Sequence, residues 1–135
     1  MRTDRLKAHM LSNAKEIERL RARIDEAVTV RDKGPKEKAT WEAACWEFHA
    51  RYDALAFPGG YTDALDRIVS GDAAAIEAAL CFLELRPRFF RSGYMYKDIL
   101  RKTMRAQLSE SQASRLLQVR QDNEAYRVGS GGGPN

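Results

Sequence analysis

The densest chemistry in this chain lies in Arg86-Pro87-Arg88-Phe89-Phe90-Arg91-Ser92-Gly93-Tyr94-Met95-Tyr96-Lys97, continued by Arg101, Lys102 and Arg105. Seven basic residues and one acid, Asp98, fall within these twenty positions. Arginine offers paired donors to a carboxylate or phosphate, and tyrosine offers a stacking plane. Ser92-Gly93 reads as the start of a helix over 93–105, whose first backbone N–H groups lack intrahelical acceptors and favour an anion. At 100° per residue, Met95, Tyr96, Ile99, Leu100, Thr103 and Met104 share one side of that helix. Tyr94, Lys97, Arg101 and Arg105 share the other, with Asp98 among them. The candidate anion- or partner-binding set is therefore Arg86, Arg88, Arg91, Ser92, Gly93, Tyr94, Lys97, Arg101 and Arg105. A competing reading makes Phe89 and Phe90 core anchors, with the arginine stems laid over the surface and paired to acidic residues elsewhere.

A second constellation is Glu42, Cys45, His49 and Asp53, all within one helical stripe. Cys45 and His49, at i and i+4, have the spacing to touch one zinc ion. A tetrahedral site needs ligands from another element as well, and only Cys81 and His9 remain of the right type. The expectation is instead that His49 pairs with Asp53 and Cys45 packs inside, with no metal site. The chain has no G-x-S-x-G, no H-E-x-x-H and no phosphate-binding glycine loop, since Gly59-Gly60 is not followed by lysine. A Cys45/His49 nucleophile pair would sit on a packed face, whereas a reactive thiol must be accessible. No enzyme and no cofactor are expected.

These residues must be positioned by helices. Val, Ile and Thr together supply only fifteen of 135 residues, against many alanines, which disfavours a pleated sheet. Thr3, Leu6, Met10, Asn13, Ile17, Leu20, Ile24 and Ala27 alternate spacings of three and four, predicting one long helix over 3–32. That stripe, broadened by Leu11 and Val28, either packs on its own domain or pairs with a second copy through residues 3–32. Gly34-Pro35 stops this helix and starts a second over 36–56, so the two form an antiparallel hairpin. Trp41, Ala44, Cys45, Phe48, Tyr52 and Leu55 form the second helix's inner face. Trp46 projects away, near Ala43, Ala50 and Ala54, and is either sandwiched or exposed for a partner.

Four shorter helices fill 62–127. Phe57-Pro58-Gly59-Gly60 reverses the chain, and Thr62 is expected to cap the third helix. Gly71-Asp72 stops that helix and starts a fourth over 72–85, with Ile76, Ala79, Leu80 and Leu83 inward. Arg86-Pro87 ends it. Ser109-Glu110-Ser111-Gln112 is a capping box opening the last helix, expected to bury Ala113, Leu116 and Leu117. The fold class is all-α, a compact bundle of about six helices forming one domain over 1–128, with a flexible Gly-rich tail over 129–135. The short helix pairs are compatible with HEAT-like stacking, though no repeat period is present.

Charge is segregated along the chain. Residues 1–33 carry nine bases and six acids, residues 36–85 four and nine, and residues 86–127 ten and four. The positive ends therefore either fold onto the acidic middle or face outward to a partner. The first twenty residues lack the apolar core of a secretory leader, and no apolar run approaches the roughly 20 residues that span a bilayer. Two cysteines make no disulfide framework, so a cytoplasmic address and no membrane partner are expected. The arginine- and alanine-rich texture is of a kind found in high-GC bacteria and carries no function. The functional expectation is a non-enzymatic helical interaction module (adaptor, regulator or immunity-type inhibitor) binding another protein through the basic, aromatic surface around 86–105 and Trp46. The alternative is a nucleic-acid or phosphate-binding protein using the same surface.

Overall fold

The structure is a computed structural model, and it describes residues 2–131, with side chains through residue 128. Six α-helices make up the described chain: α1 (Arg2–Val28), α2 (Pro35–Ala56), α3 (Ala64–Val69), α4 (Ala73–Leu85), α5 (Ser92–Thr103) and α6 (Glu110–Gly131). No strand occurs among the described residues, and the all-α bundle is as the residue pattern requires.

The first helix stops earlier than its apolar stripe suggests. Val28, Thr29 and Val30 are three consecutive β-branched residues, which lose rotamer freedom in a helix. The Thr29 hydroxyl donates to the Glu26 carbonyl at 2.8 Å, and a short 3-10 turn at Arg31–Lys33 leads to Gly34. Pro35 then begins α2, which returns antiparallel along α1. Met10, Ala14, Ile17, Leu20 and Ala27 are buried, so the stripe of α1 is spent on this domain's own core.

Helix α4 is the centre of the bundle. Residues Ala75, Ile76 and Ala78 to Leu83 are all buried, as expected of a helix covered on every side. It packs against α1, α3, α5 and α6, so helices far apart in sequence meet on it instead of forming a linear stack of neighbours. Phe57, Phe82, Ile17, Leu20, Ile68, Leu80 and Ile99 are the large side chains most completely withdrawn from water. At about 25 cal/mol per Å² of apolar area, burial of this kind is the main force holding the bundle.

Two local expectations are corrected. Thr62 does not cap α3: Asp63 occupies the N-cap position, and the Thr62 hydroxyl donates to Asp53 Oδ1 at 2.7 Å. Asp53, at the end of α2, is the stronger acceptor because it is charged. Gly60 must be glycine here, with φ +88° and a Cβ that would fall 2.8 Å from Asp53 Oδ2. In α6 the buried residues are Leu116 and Val119, while Ala113 is exposed and Leu117 is 54% exposed. Only one edge of α6 meets α4, and Arg115 reaches from that edge to ion-pair with α4. The capping box forms as a reciprocal pair: the Ser109 N–H donates to Gln112 Oε1 at 2.8 Å and the Gln112 N–H to Ser109 Oγ at 3.1 Å. The linker expected from residue 129 overlaps the end of α6, which runs to Gly131, and residues 132–135 lie outside the described residues.

Candidate functional site

The connection between α4 and α5 gathers the cations. Its two ends are the only non-glycine residues of positive φ among those described, Arg86 at φ 51° and Arg91 at φ 68°. Left-handed backbone costs a residue with a Cβ roughly 1 kcal/mol, so surrounding contacts must hold both. Those contacts are present. The Arg86 N–H closes α4 onto the Phe82 carbonyl at 2.8 Å. Its guanidinium lies 4.4 Å from the centre of the Tyr96 ring and donates to Asn123 Oδ1 at 3.1 Å. Asn123 also exchanges hydrogen bonds with the Tyr96 hydroxyl, so α4, α5 and α6 are clasped at one point.

Arg91 is positioned through Phe90. The Phe90 N–H donates to Glu18 Oε2 at 3.0 Å, and its carbonyl accepts from the Tyr52 hydroxyl at 2.6 Å. Two guanidinium groups lie over its ring, Arg21 at 4.7 Å and Arg91 at 5.3 Å from its centre. Beneath, Phe89 is buried and packs edge-on to Tyr52 and Phe82. Burial raises the Tyr52 phenol above its ordinary pKa, so its hydroxyl stays protonated and keeps donating. Phe89 therefore anchors the segment in the core, and Phe90 packs against it from the partly buried side.

A cleft of about 650 Å³ opens over this junction. Glu18 and Arg21 of α1 form one wall, and Arg86, Arg88, Arg91, Tyr94 and Lys97 form the other, with Ser92 and Gly93 between them. Glu18, Arg86, Pro87 and Arg88 also border a second cleft of about 520 Å³, whose remaining walls include Leu11, Ala14 and Leu85. Through these shared residues the two adjoin as a groove, cationic over the first cleft and more apolar over the second, where Lys15 also stands. Its only carboxylate among the described residues, Glu18, already accepts the Phe90 N–H.

The residues singled out from the sequence divide into three groups. Arg86, Arg88, Arg91, Ser92, Gly93, Tyr94 and Lys97 line the cleft. Within it, the Ser92 Oγ accepts from the Phe89 N–H at 3.1 Å and serves the local turn, and Arg86 serves the Tyr96–Asn123 clasp. Arg101 and Arg105 are exposed away from the cleft, Arg101 paired with Asp98 at 2.9 Å and Arg105 past the end of α5. Trp46 stands on the outer face of α2, 73% exposed. Glu18 and Arg21 were not legible as site residues. They sit on the polar side of α1, and nothing in their spacing signals contact with a loop 72 positions away.

The acidic middle segment does not neutralise this cleft. Glu47 pairs with Arg23 and Arg51, Glu77 with Arg115, and Glu84 with Arg115 and Lys7. Hydrogen bonds from arginine hold the Glu47 and Glu84 carboxyls below their ordinary pKa. For Glu77, burial acts upward but is outweighed by donors from Arg115, Cys81 and Thr3. Arg88 and Lys97 take part in no ion pair or side-chain hydrogen bond among the described residues. Tyr94, which lines the same cleft, is 70% exposed.

The second constellation separates. Cys45 is half-buried, His49 is exposed with its ring edge-on to Phe48, and Asp53 turns to Thr62 instead of His49. No group of three or more His, Cys, Asp or Glu side chains able to hold a metal occurs among the described residues. No helix of the described chain is long and apolar enough to cross a membrane. Comparison with family models, curated proteins and solved structures finds no match to this chain.

Proposed function

We propose that the chain is a non-enzymatic interaction module of the adaptor, regulator or immunity-inhibitor type. Its groove between α1 and the start of α5 takes an acidic segment of another protein. The observation that carries this reading is the division of labour among the arginines. Arg23, Arg51 and Arg115 consume the internal carboxylates, while Arg88, Arg91 and Lys97 are left lining an open groove. The groove's continuation over Leu11, Leu85 and Pro87 favours a peptide with an acidic end and an apolar end. The alternative is a nucleic-acid backbone, favoured by the exposed Tyr94 ring beside Lys97. It leaves the apolar half of the groove without a purpose.

A fluorescein-labelled peptide of several glutamates followed by leucines, and a single-stranded DNA of equal charge, separate the two by anisotropy. The peptide is expected to bind, and Arg88→Glu with Lys97→Glu weakens it by about tenfold or more. DNA binding tighter than the peptide's, with a steep loss as salt rises, would transfer the groove to nucleic acid.

A further inference from the structure

Trp46 lies outside the groove and has no role in the reading above. Helix α2 is continuous from Pro35 to Ala56, so positions on its surface follow from 100° per residue. Around the exposed Trp46, within about 60° on one side, stand Ala39, Ala43 and Ala50, all exposed. A large apolar ring beside small neighbours is a knob next to its own hole. On the other side of Trp46, within about 80°, runs a border of Lys38, Glu42, His49 and Asp53.

That border is complementary to itself. In two antiparallel helices, residues on the same border meet, and their numbers sum to a constant. Lys38 then lies opposite the partner's Asp53, and Glu42 opposite the partner's His49, each contact occurring twice. The same register brings each Trp46 onto the Ala43–Ala50 strip of the other copy. The antiparallel arrangement also places opposite helix dipole ends side by side. Most of the α1 stripe offers no rival surface, since Met10, Ala14, Ile17, Leu20 and Ala27 are buried in the domain and the exposed Leu11 borders the groove.

We propose that a second copy of this chain docks here, α2 against α2 about a two-fold axis beside Trp46. Asp53 also accepts the Thr62 hydroxyl, so the test rests on the inner pair, Glu42 and His49, both exposed. In sedimentation equilibrium across micromolar to millimolar concentration, the full chain forms a dimer. Trp46→Ser weakens it by about tenfold or more. His49→Glu sets two carboxylates against two carboxylates and weakens it by about a hundredfold. The double variant Glu42→Arg/His49→Glu sets a cation against a carboxylate at each contact and returns the dimer to within about threefold of the wild type. Circular dichroism confirms that each variant is folded. A monomer at the highest concentration overturns the proposal, and this is also the result expected if α2 serves a different protein. A dimer untouched by His49→Glu, or one that the double variant does not rescue, overturns it equally.

Discussion

The same residue, arginine, is used in two different ways in this molecule. Along α1, α2 and α6 it is closed into ion pairs: Arg19 and Arg51 share Glu16, Arg23 and Arg51 share Glu47, and Arg115 bridges Glu77 and Glu84. At the α4–α5 junction it is laid over rings: Arg86 on Tyr96, and Arg21 and Arg91 on Phe90. A carboxylate neutralises the guanidinium and occupies its donors. A ring attracts the charge through its face and leaves the N–H edge able to bond outward. The paired region holds helices together, and the ring-supported region keeps cations ordered but unneutralised.

Removing the buried ring beneath these supports has the largest expected effect. Phe89→Ala deletes the buried ring between Tyr52 and Phe82 and lowers stability by about 3 kcal/mol in urea unfolding. Arg115→Leu comes next in size. It leaves Glu84 with Lys7 alone and Glu77 with only the Thr3 and Cys81 donors, and costs about 1 kcal/mol by the same measurement. A value near zero would mean that the ion pairs are ornamental and the contrast between the regions false.

Acid titration separates the regions further. The carboxyl of Glu16 is held down to about 2 by donors from Arg19 and Arg51, and those of Glu47, Glu77 and Glu84 are also depressed. A carboxyl with a depressed folded pKa stabilises the fold fully above its unfolded value and loses that contribution as pH falls through the folded one. Thermal unfolding monitored between pH 5 and pH 2 should therefore show Tm falling steadily. Arg115→Leu should flatten the part due to Glu77 and Glu84. A Tm insensitive to acid would contradict the paired region's role.

Two further effects sharpen the ring-supported region. Arg86→Gly and Arg86→Ala lose the same clasp, but glycine accepts φ 51° and should be more stable by about 1 kcal/mol. Equal stabilities would mean that the connection relaxes out of its left-handed backbone. Arg88→Glu should change stability by less than about 0.5 kcal/mol, because Arg88 is exposed and unpaired. A larger loss would show that it is a structural residue.

The helices were legible because their ends are marked chemically. Pro35, Gly71-Asp72 and Ser109 with Gln112 act where the sequence places them, whereas α1 has already ended at Val28 before Gly34 is reached. The face of α6 was not, since Leu116, Leu117 and Val119 allow neighbouring stripes and only the approach of α4 selects Leu116 and Val119. The cationic side of α5 followed from periodicity, as did the burial of Met95, Tyr96, Ile99 and Thr103. What periodicity could not supply was the opposite wall. Arg21 and Glu18 join the site through tertiary packing alone, and Ser92 was diverted from ligand to turn by the nearby Phe89 N–H.

The groove between α1 and α5 is proposed as the surface offered to an acidic, partly apolar segment. A ¹H–¹⁵N correlation titration of the folded chain with the glutamate–leucine peptide reads this directly. Shifts concentrated at Ser92 to Lys97 and at Leu11 to Arg21, absent in Arg88→Glu/Lys97→Glu, are the predicted result. Shifts spread over α2 and α6 with the groove unmoved, or unchanged by that double substitution, would contradict it.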